Sequence, residues 1–370
     1  MEKEIYIIAA LGLVWLAQVL YYLLIMNRVV TKKTTTLATE CPPVSVIVCA
    51  KNEQKNLEQN LPLLLTQNYP NYQVIVVNDC SEDDTELVLA RLKQNHHNLY
   101  FTSIPVDKKF FHGKKLALTI GIKAAKHEYL LLTDADCIPA SPEWLASMTA
   151  NFTTDKELVI GYGKYRRDKG FINTLVRYET LWNAMQYMGH ALVAKPFMAV
   201  GRNIAYTKSL FTASSQFCNS LTIASGDDDL FVMEAGTKKN TQVCYLPQAQ
   251  TISVAAQTLD EWLSQKSRHL STAFRIPFTT KLLLGSEIIS RQLFYFISLY
   301  CLIFNTFVPI TIAIIVSRLL LIQIIFYKAA QRFEEKGISF AVLPMDLVTP
   351  WFLAWAWLFK FFVGNKYKWR

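Results

Sequence analysis

One stretch constrains this chain more than any other: Tyr129-Leu130-Leu131-Leu132-Thr133-Asp134-Ala135-Asp136-Cys137. A short apolar run bounded by turn residues reads as a buried strand of a mostly parallel sheet, and it releases two carboxylates at its C-terminal end. Open α/β sheets bind their ligands outside the carboxyl ends of the strands. Side chains two apart on a strand share a face, so Asp134 and Asp136 converge where the strand opens into a loop. Two hard oxygen ligands, with room left for water and phosphate oxygens, suit Mg²⁺ or Mn²⁺. The same pair also suits a helix cap and turn around Pro139 and Ser141-Pro142, so the other motifs decide its use.

The composition places this strand in the soluble middle of a membrane protein. Hydrophobic residues make up 52% of the chain, and the longest apolar blocks lie at its two ends. Ile5 to Met26 has the length of a span, exceeds the apolar region of a signal peptide and lacks a small-residue cleavage site, which predicts an uncleaved anchor. Glu2 and Glu4 precede it, while Arg28, Lys32 and Lys33 follow. The positive-inside rule therefore puts the N-terminus outside and the chain from residue 30 in the cytoplasm.

Ile288 to Asn305 and Pro309 to Tyr327 predict a spanning helical hairpin, after which Lys328, Arg332 and Lys336 return the chain to the same side. Phe340 to Val363 is interrupted by Pro344, Asp346 and Pro350. A re-entrant or interfacial helix pair is expected there, keeping Lys366, Lys368 and Arg370 inside. The net charge of +9 is scattered or placed beside apolar segments, and no nucleic-acid motif accompanies it. A membrane surface and nucleotide phosphates account for the charge better than nucleic acid does. Seven cysteines without a CxxC pair indicate neither a zinc site nor a disulfide framework, and fit a reducing compartment.

The expected organisation is an anchor over 1–30, a Thr-rich linker over 31–43, a catalytic domain over 44–255, interfacial helices over 256–286 and a C-terminal transmembrane or re-entrant region over 287–370. Strands are predicted at 44–50, 73–79, near 99–104, within the 129–137 stretch, at 159–165 and at 243–246. Helices are predicted at 53–67, at 83–95 with Ser81 as N-cap, and at 116–125. Alternation of the two makes a doubly wound parallel sheet. Phe171 to Ala194 is amphipathic and aromatic, and reads either as a core helix or as one lying on the membrane face beside an acceptor.

Asn52-Glu53 and Asp79 follow the first and second strands, on the same sheet edge as Asp134 and Asp136. Asp79 suits the N3–H of a uracil ring. Lys114, after Gly113 at a helix start, has the geometry to meet a phosphate. Gly226-Asp227-Asp228-Asp229-Leu230 places three acids where a helix cap needs one, and neighbouring acids raise one another's pKa toward a general base's working range. Gln265, Arg268 and His269 share a helix face by their spacing, and Arg268 can clamp a diphosphate.

Taken in order, Cys49-Ala50-Lys51-Asn52-Glu53, Asn78-Asp79, Gly113-Lys114, Asp134-Ala135-Asp136, Gly201-Arg202-Asn203, Gly226 to Leu230 and Gln265 to His269 resemble a membrane-anchored, inverting family 2 glycosyltransferase. The resemblance covers about residues 43 to 275. It implies an α/β fold of GT-A type, a mostly parallel sheet flanked by helices, with transmembrane helices at both ends of the chain. It implies nucleotide-sugar binding by Ala50, Asn52, Glu53, Asp79, Lys114, Asp134, Gln265, Arg268 and His269, with Glu53 and Asp79 on the nucleoside. Asp134 and Asp136 would hold the diphosphate and its Mg²⁺ or Mn²⁺, and Gly201 and Asn203 would face the acceptor.

One acid of Asp227, Asp228 and Asp229 would be the catalytic base. Matching Leu230 favours Asp227, the Gly-Asp-Asp pattern favours Asp228, and gapless spacing to Pro247 favours Asp229; Asp228 is the expectation adopted. His269 stands where processive members of the family carry Trp. That departure favours a single transfer from a UDP-sugar to a lipid acceptor in the bilayer of a bacterial inner membrane, with the catalytic domain cytoplasmic. A processive polysaccharide synthase and a catalytically silent membrane scaffold are the alternatives.

Overall fold

The chain is described by a computed structural model covering residues 2–33, 41–105, 113–215, 226–269 and 275–363. An N-terminal helix runs from α1 (Glu2–Tyr21) through a π turn (Tyr22–Met26) into α2 (Asn27–Thr31). β1 (Val44–Ala50), α3 (Gln54–Leu65), β2 (Tyr72–Asp79), α4 (Thr85–Asn95), β3 (Leu99–Ile104), α5 (Lys114–Ala124) and β4 (Tyr129–Asp134) then alternate. They are followed by β5 (Ile138–Pro139), α6 (Trp144–Thr149), β6 (Leu158–Ile160), β7 (Gly163–Tyr165), the long α7 (Phe171–Val193), β8 (Ile204–Thr207) and α8 (Lys208–Ala213). α9 (Asp227–Ala235), β9 (Thr241–Val243), β10 (Thr251–Ser253), α10 (Leu259–His269), α11 (Phe278–Ile303), α12 (Val308–Arg332) and α13 (Val342–Val363) complete it.

The large sheet has the order β3-β2-β1-β4-β8-β6-β9, and β5-β10-β7 form a small one. β1 shows why the large sheet is central. All seven of its residues are buried, and alternate side chains enter opposite layers, Val44, Val46 and Val48 toward α3 and α6, Ile47 and Cys49 toward α5 and α7. α5 comes close because Gly121 lacks a side chain: a Cβ there would lie 2.7 Å from Ile47 Cγ2.

Four strands are parallel as expected, but β8 runs antiparallel between β4 and β6. Its register pairs Ile204 with Leu132, so the chain enters β8 from the carboxyl edge of the sheet. The expected strand over 159–165 divides into β6 and β7, which belong to different sheets. Ser81 does not cap α4, which Asp84 precedes; its hydroxyl accepts the Asn52 N–H at 2.8 Å.

Among the described residues, three helices are long and apolar enough to cross a membrane: Glu2–Thr31, Phe278–Ile303 and Val308–Arg332. α11 starts at Phe278, inside the segment expected to hold interfacial helices, which leaves α10 as the amphipathic helix there. In place of a helix pair near the C-terminus stands one helix, α13, with Pro350 inside it. The expected basic tail, Lys366 to Arg370, lies outside the described residues.

α7 settles between its two expected roles as core. It is buried along most of its length, against the π turn, α2, α12 and α13 on one side and the sheet domain on the other. Its charges are paired inside that seam: Arg177 Nη2 lies 2.6 Å from Glu335 Oε2, Tyr162 donates to Glu335 Oε1 at 2.9 Å, and Glu179 meets Lys266. Gln250 Nε2 donates to the Phe333 carbonyl at 3.2 Å, so the segment after α12 is tied to the sheet domain at several points.

A second buried cluster lies within the helices themselves. Arg318 reaches Asp346 at 2.6 Å, Gln18 at 2.9 Å and the Tyr22 hydroxyl at 3.1 Å; Arg291 pairs with Glu287 at 3.2 Å and Asp346 at 3.4 Å and lies over the Trp182 ring. Charges this deep persist only when paired and hydrogen-bonded.

Candidate active site

The carboxyl edge of the parallel strands collects the acids. Two residues there adopt left-handed backbone, Asn52 after β1 and Cys80 after β2, each with φ of 55°. For Cys80 this conformation is sparsely populated and is held by the surrounding structure. Asn52 bridges the two loops: its N–H donates to Ser81 and its Oδ1 accepts from the Glu82 N–H, both at 2.8 Å. Glu53 is fixed by Thr85 Oγ1, which accepts its N–H at 3.0 Å, and by Asn56, which donates to its carboxylate at 2.6 Å. Burial raises the Glu53 pKa, assisted by the charges of Asp136 and Asp134 and opposed by the Asn56 bond. Asp79 is fully buried at the end of β2, and Ala50 at the end of β1.

β4 delivers Asp134 and Asp136 beside these loops. Lys114 Nζ, from the first turn of α5, lies 2.6 Å from Asp134 Oδ1. Burial alone would raise Asp134, but the ammonium outweighs it and holds the carboxyl below its usual range. Burial likewise works to lower Lys114, and the charges of Asp134 and Asp228 outweigh it, raising its pKa. Ligating atoms of Asp134, Asp136 and Cys137 lie within 4.8 Å of one another, close enough for one ion to reach all three. The two carboxylates, with Asp136 exposed, are hard oxygen donors that fit Mg²⁺ or Mn²⁺ with solvent or phosphate completing the shell; the buried Cys137 thiol, its pKa raised by burial, is a soft donor that these ions do not select.

Across the cleft stands the first turn of α9. A helix N-terminus favours negative charge, yet three consecutive acids exceed what one dipole stabilises, and the three side chains take separate paths. Asp227 is buried and lies 3.4 Å from Lys115 Nζ; burial pushes it up to about 6 against the pull of Lys114 and Lys115. Asp228 is half-buried and accepts the backbone N–H of Gly201. Burial raises it, with Asp134 adding to the effect and Lys114 opposing it. Asp229 is buried on a further side of the helix. Gly201 leaves room for this approach: a Cβ there would lie 3.1 Å from Asp228 Oδ2, a tight contact.

Lys114, Gly201, Asp227 and Asp228 thus line one pocket, floored by Leu132, Ile204 and Tyr206 and walled by Leu118 and Phe231. Asn203 is placed differently from its expected position on the acceptor side. It is fully buried, donating to the carbonyls of Tyr162 and Ala249 at 2.9 and 2.8 Å and accepting from Trp144 Nε1 at 3.1 Å, and so ties β8 to its neighbours. Gln265 stands back from the pocket and donates to the Tyr165 hydroxyl at 2.9 Å. Arg268 is exposed on α10, and the His269 side chain lies outside the described residues.

Three residues near the acids were not singled out from the sequence. Arg202 lies over the Tyr165 ring at 4.5 Å and donates to Gly163 at 2.6 Å, its charge reaching Asp134 and Asp136. Its signal was its place between Gly201 and Asn203. Cys137 directly follows the second aspartate, and Lys115 sits one residue after the phosphate-binding candidate Lys114.

Known proteins resemble this chain in sequence over part of its length and in fold. The family model described as Glycosyl transferase family 2 matches residues 45–212. The poly-beta-1,6-N-acetyl-D-glucosamine synthase of Staphylococcus epidermidis is 30% identical over 132 residues, which are 35% of this chain and 30% of that protein. An uncharacterized glycosyltransferase of Haemophilus influenzae is 26% identical over 147 residues, 38% of this chain and 44% of that one. The matches therefore span less than half the length of these relatives. The solved structure of mannosyltransferase PcManGT from Pyrobaculum calidifontis, in complex with GDP-Man and Mn²⁺, corresponds over 98% of this chain and 99% of that one, with a TM-score of 0.60 at 17% identity. At that identity the likeness is one of fold.

Proposed function

The chain carries a family 2 glycosyltransferase domain, and from that premise we propose that it moves one sugar from a nucleotide diphosphate-sugar to an acceptor embedded in the membrane, with inversion at the anomeric carbon. The observation that carries this reading is that Asp228, held on the Gly201 N–H, lines the same pocket as Lys114, which in turn pairs with Asp134. A base on one side and diphosphate-binding groups on the other are what an in-line displacement requires.

In this mechanism Glu53 and Asp79 receive the nucleoside, and Lys114 and Arg268 take the charge of the departing diphosphate. Asp134 and Asp136 would hold a divalent ion, which when bound supplies further neutralisation of that leaving group. Asp228, its pKa raised by burial, removes the proton from the acceptor hydroxyl. The apolar helices support a bilayer acceptor: α11 and α12 present Leu293, Phe296, Leu299, Ile312, Val316 and Leu320 outward, a surface suited to lipid. Under the positive-inside reading the catalytic domain is cytoplasmic, at the inner membrane of a bacterium.

The donor is read as a UDP-sugar because Asp79 suits a uracil N3–H. The fold shared with a protein solved with GDP-Man makes GDP-mannose the competing donor. A second reading, a processive synthase, is favoured by the relative of that activity in S. epidermidis. One experiment separates them: membranes holding the full chain are incubated with Mn²⁺ and radiolabelled UDP-N-acetylglucosamine, UDP-glucose or GDP-mannose, and the product is partitioned between organic solvent and water. A discrete solvent-soluble product is expected. Label in a high-mass aqueous product replaces single transfer with polymerisation, and no incorporation from any donor overturns the enzymatic reading.

A further inference from the structure

Two lysines begin α5, and only the first has a place in the mechanism above. Consecutive helical residues point about 100° apart, so Lys114 and Lys115 diverge from one turn. Lys114 goes to Asp134 at the donor side of the pocket; Lys115 goes the other way, to Asp227 at 3.4 Å. The second pair is the more enclosed, with side chains 7% and 6% exposed, against 31% and 34% for the first. Of this second pair only Asp227 borders the pocket, and Lys115 stands behind it.

Asp227 and Asp228 are neighbours on the first turn of α9, so fixing one fixes the other. Asp227 is anchored toward α5, and Asp228 is anchored toward the loop before β8 through the Gly201 N–H. Two tethers on opposite sides of one turn set both its position and its rotation about the helix axis. Resting on the proposed reading of the pocket, we infer that Lys115 is a positioning residue and that the Lys115–Asp227 pair is a strut that aims Asp228. Asp227 then takes no proton during transfer, and the acidic run divides into one carboxylate for support and one for chemistry.

The test uses the full chain in membranes, with the radiolabelled donor found in the partition assay, comparing Lys115→Met, Lys115→Arg, Asp227→Asn, the double variant Lys115→Met/Asp227→Asn, and Asp228→Asn. A misplacement of the base by an ångström costs on the order of 10²-fold, so Lys115→Met and Asp227→Asn are each expected to lower kcat by about 10- to 100-fold, with KM for the donor changed less than about twofold. Lys115→Arg recovers most of the rate. The double variant is no slower than the slower single, because one broken strut cannot be broken twice. It also leaves no lone buried charge, so it reports even where Lys115→Met fails to fold.

Asp227→Asn as inactive as Asp228→Asn would overturn the inference, since Asp227 would then be acting in the reaction. Single effects that multiply in the double variant, or a Lys115→Met change confined to KM, would overturn it as well. Undiminished transfer by Asp228→Asn removes the underlying reading of the pocket, and with it this inference.

Discussion

Two groups of buried charge sit in this molecule, and they are built to opposite rules. Among the helices, Arg291 and Arg318 meet Glu287 and Asp346, cation for anion, and Gln18, Tyr22 and Tyr295 add hydrogen bonds to Arg318. Among the described residues of the cleft, Lys114, Lys115, Arg202 and Arg268 stand with Glu53, Asp79, Asp134, Asp136, Asp227 and Asp228, so acids outnumber cations. A charge-balanced cluster needs no ligand and holds helices together. An excess of one sign beside an open pocket is completed by something of the other sign, which here means a cation or a proton in transit.

That contrast can be broken from either side. The largest effect is expected in the cleft: Asp228→Asn lowers transfer by about 10³- to 10⁴-fold while the unfolding temperature holds, as measured by radiolabel incorporation and by thermal unfolding in detergent. In the helical cluster the signs reverse. Arg318→Met takes from Asp346 its nearest cation, leaving it Arg291 at 3.4 Å, and destabilises the protein by about 3–5 kcal/mol; Arg318→Met combined with Asp346→Leu recovers most of the loss, as read by denaturant unfolding in micelles.

The next effect is one of pH. Asp227 sits at about 6, above its unfolded value, so the stability it contributes is complete below about pH 4 and is lost as pH rises through 6. The wild-type protein is expected to lose about 2–3 kcal/mol across that window from this group, and Asp227→Asn to flatten the slope, in unfolding curves taken at half-unit intervals. Smallest of all is the exposed Arg91–Glu58 pair, with side chains 58% and 49% exposed: Arg91→Ala is expected to shift stability by less than about 1 kcal/mol in the same assay.

What could be read from the sequence follows the range over which the signals act. The parallel strands β1 to β4, the acids at their ends and the Lys114 helix start are local patterns of burial and spacing, and the structure has these; the strand expected at 243–246 lies instead at Thr241–Val243. β8 was not seen because four residues carry too short a pattern and its partners, β4 and β6, come from distant sequence. Asn203 reads as an exposed polar residue in a loop motif until the carbonyls of Tyr162 and Ala249 come to meet it. Arg291, Arg318 and Asp346 read as interruptions of apolar runs, since the Gln18 that receives Arg318 lies 300 residues away. Residue types announced the chemistry; the pairings that apportion it, above all Lys115 with Asp227, came only with the folded chain.

The tie between Glu335, Arg177 and Tyr162 has a consequence for reach. It joins the segment after a spanning candidate to the same α7 that underlies the sheet domain, and Gln250 adds a second rivet at Phe333. The sheet domain is thus fastened to the helices through side chains as well as through the chain itself. Under the proposed transfer to a bilayer acceptor, such a mount would act as a depth gauge: of the hydroxyls a bilayer offers, those carried to the height of Asp228 would be the ones it reads.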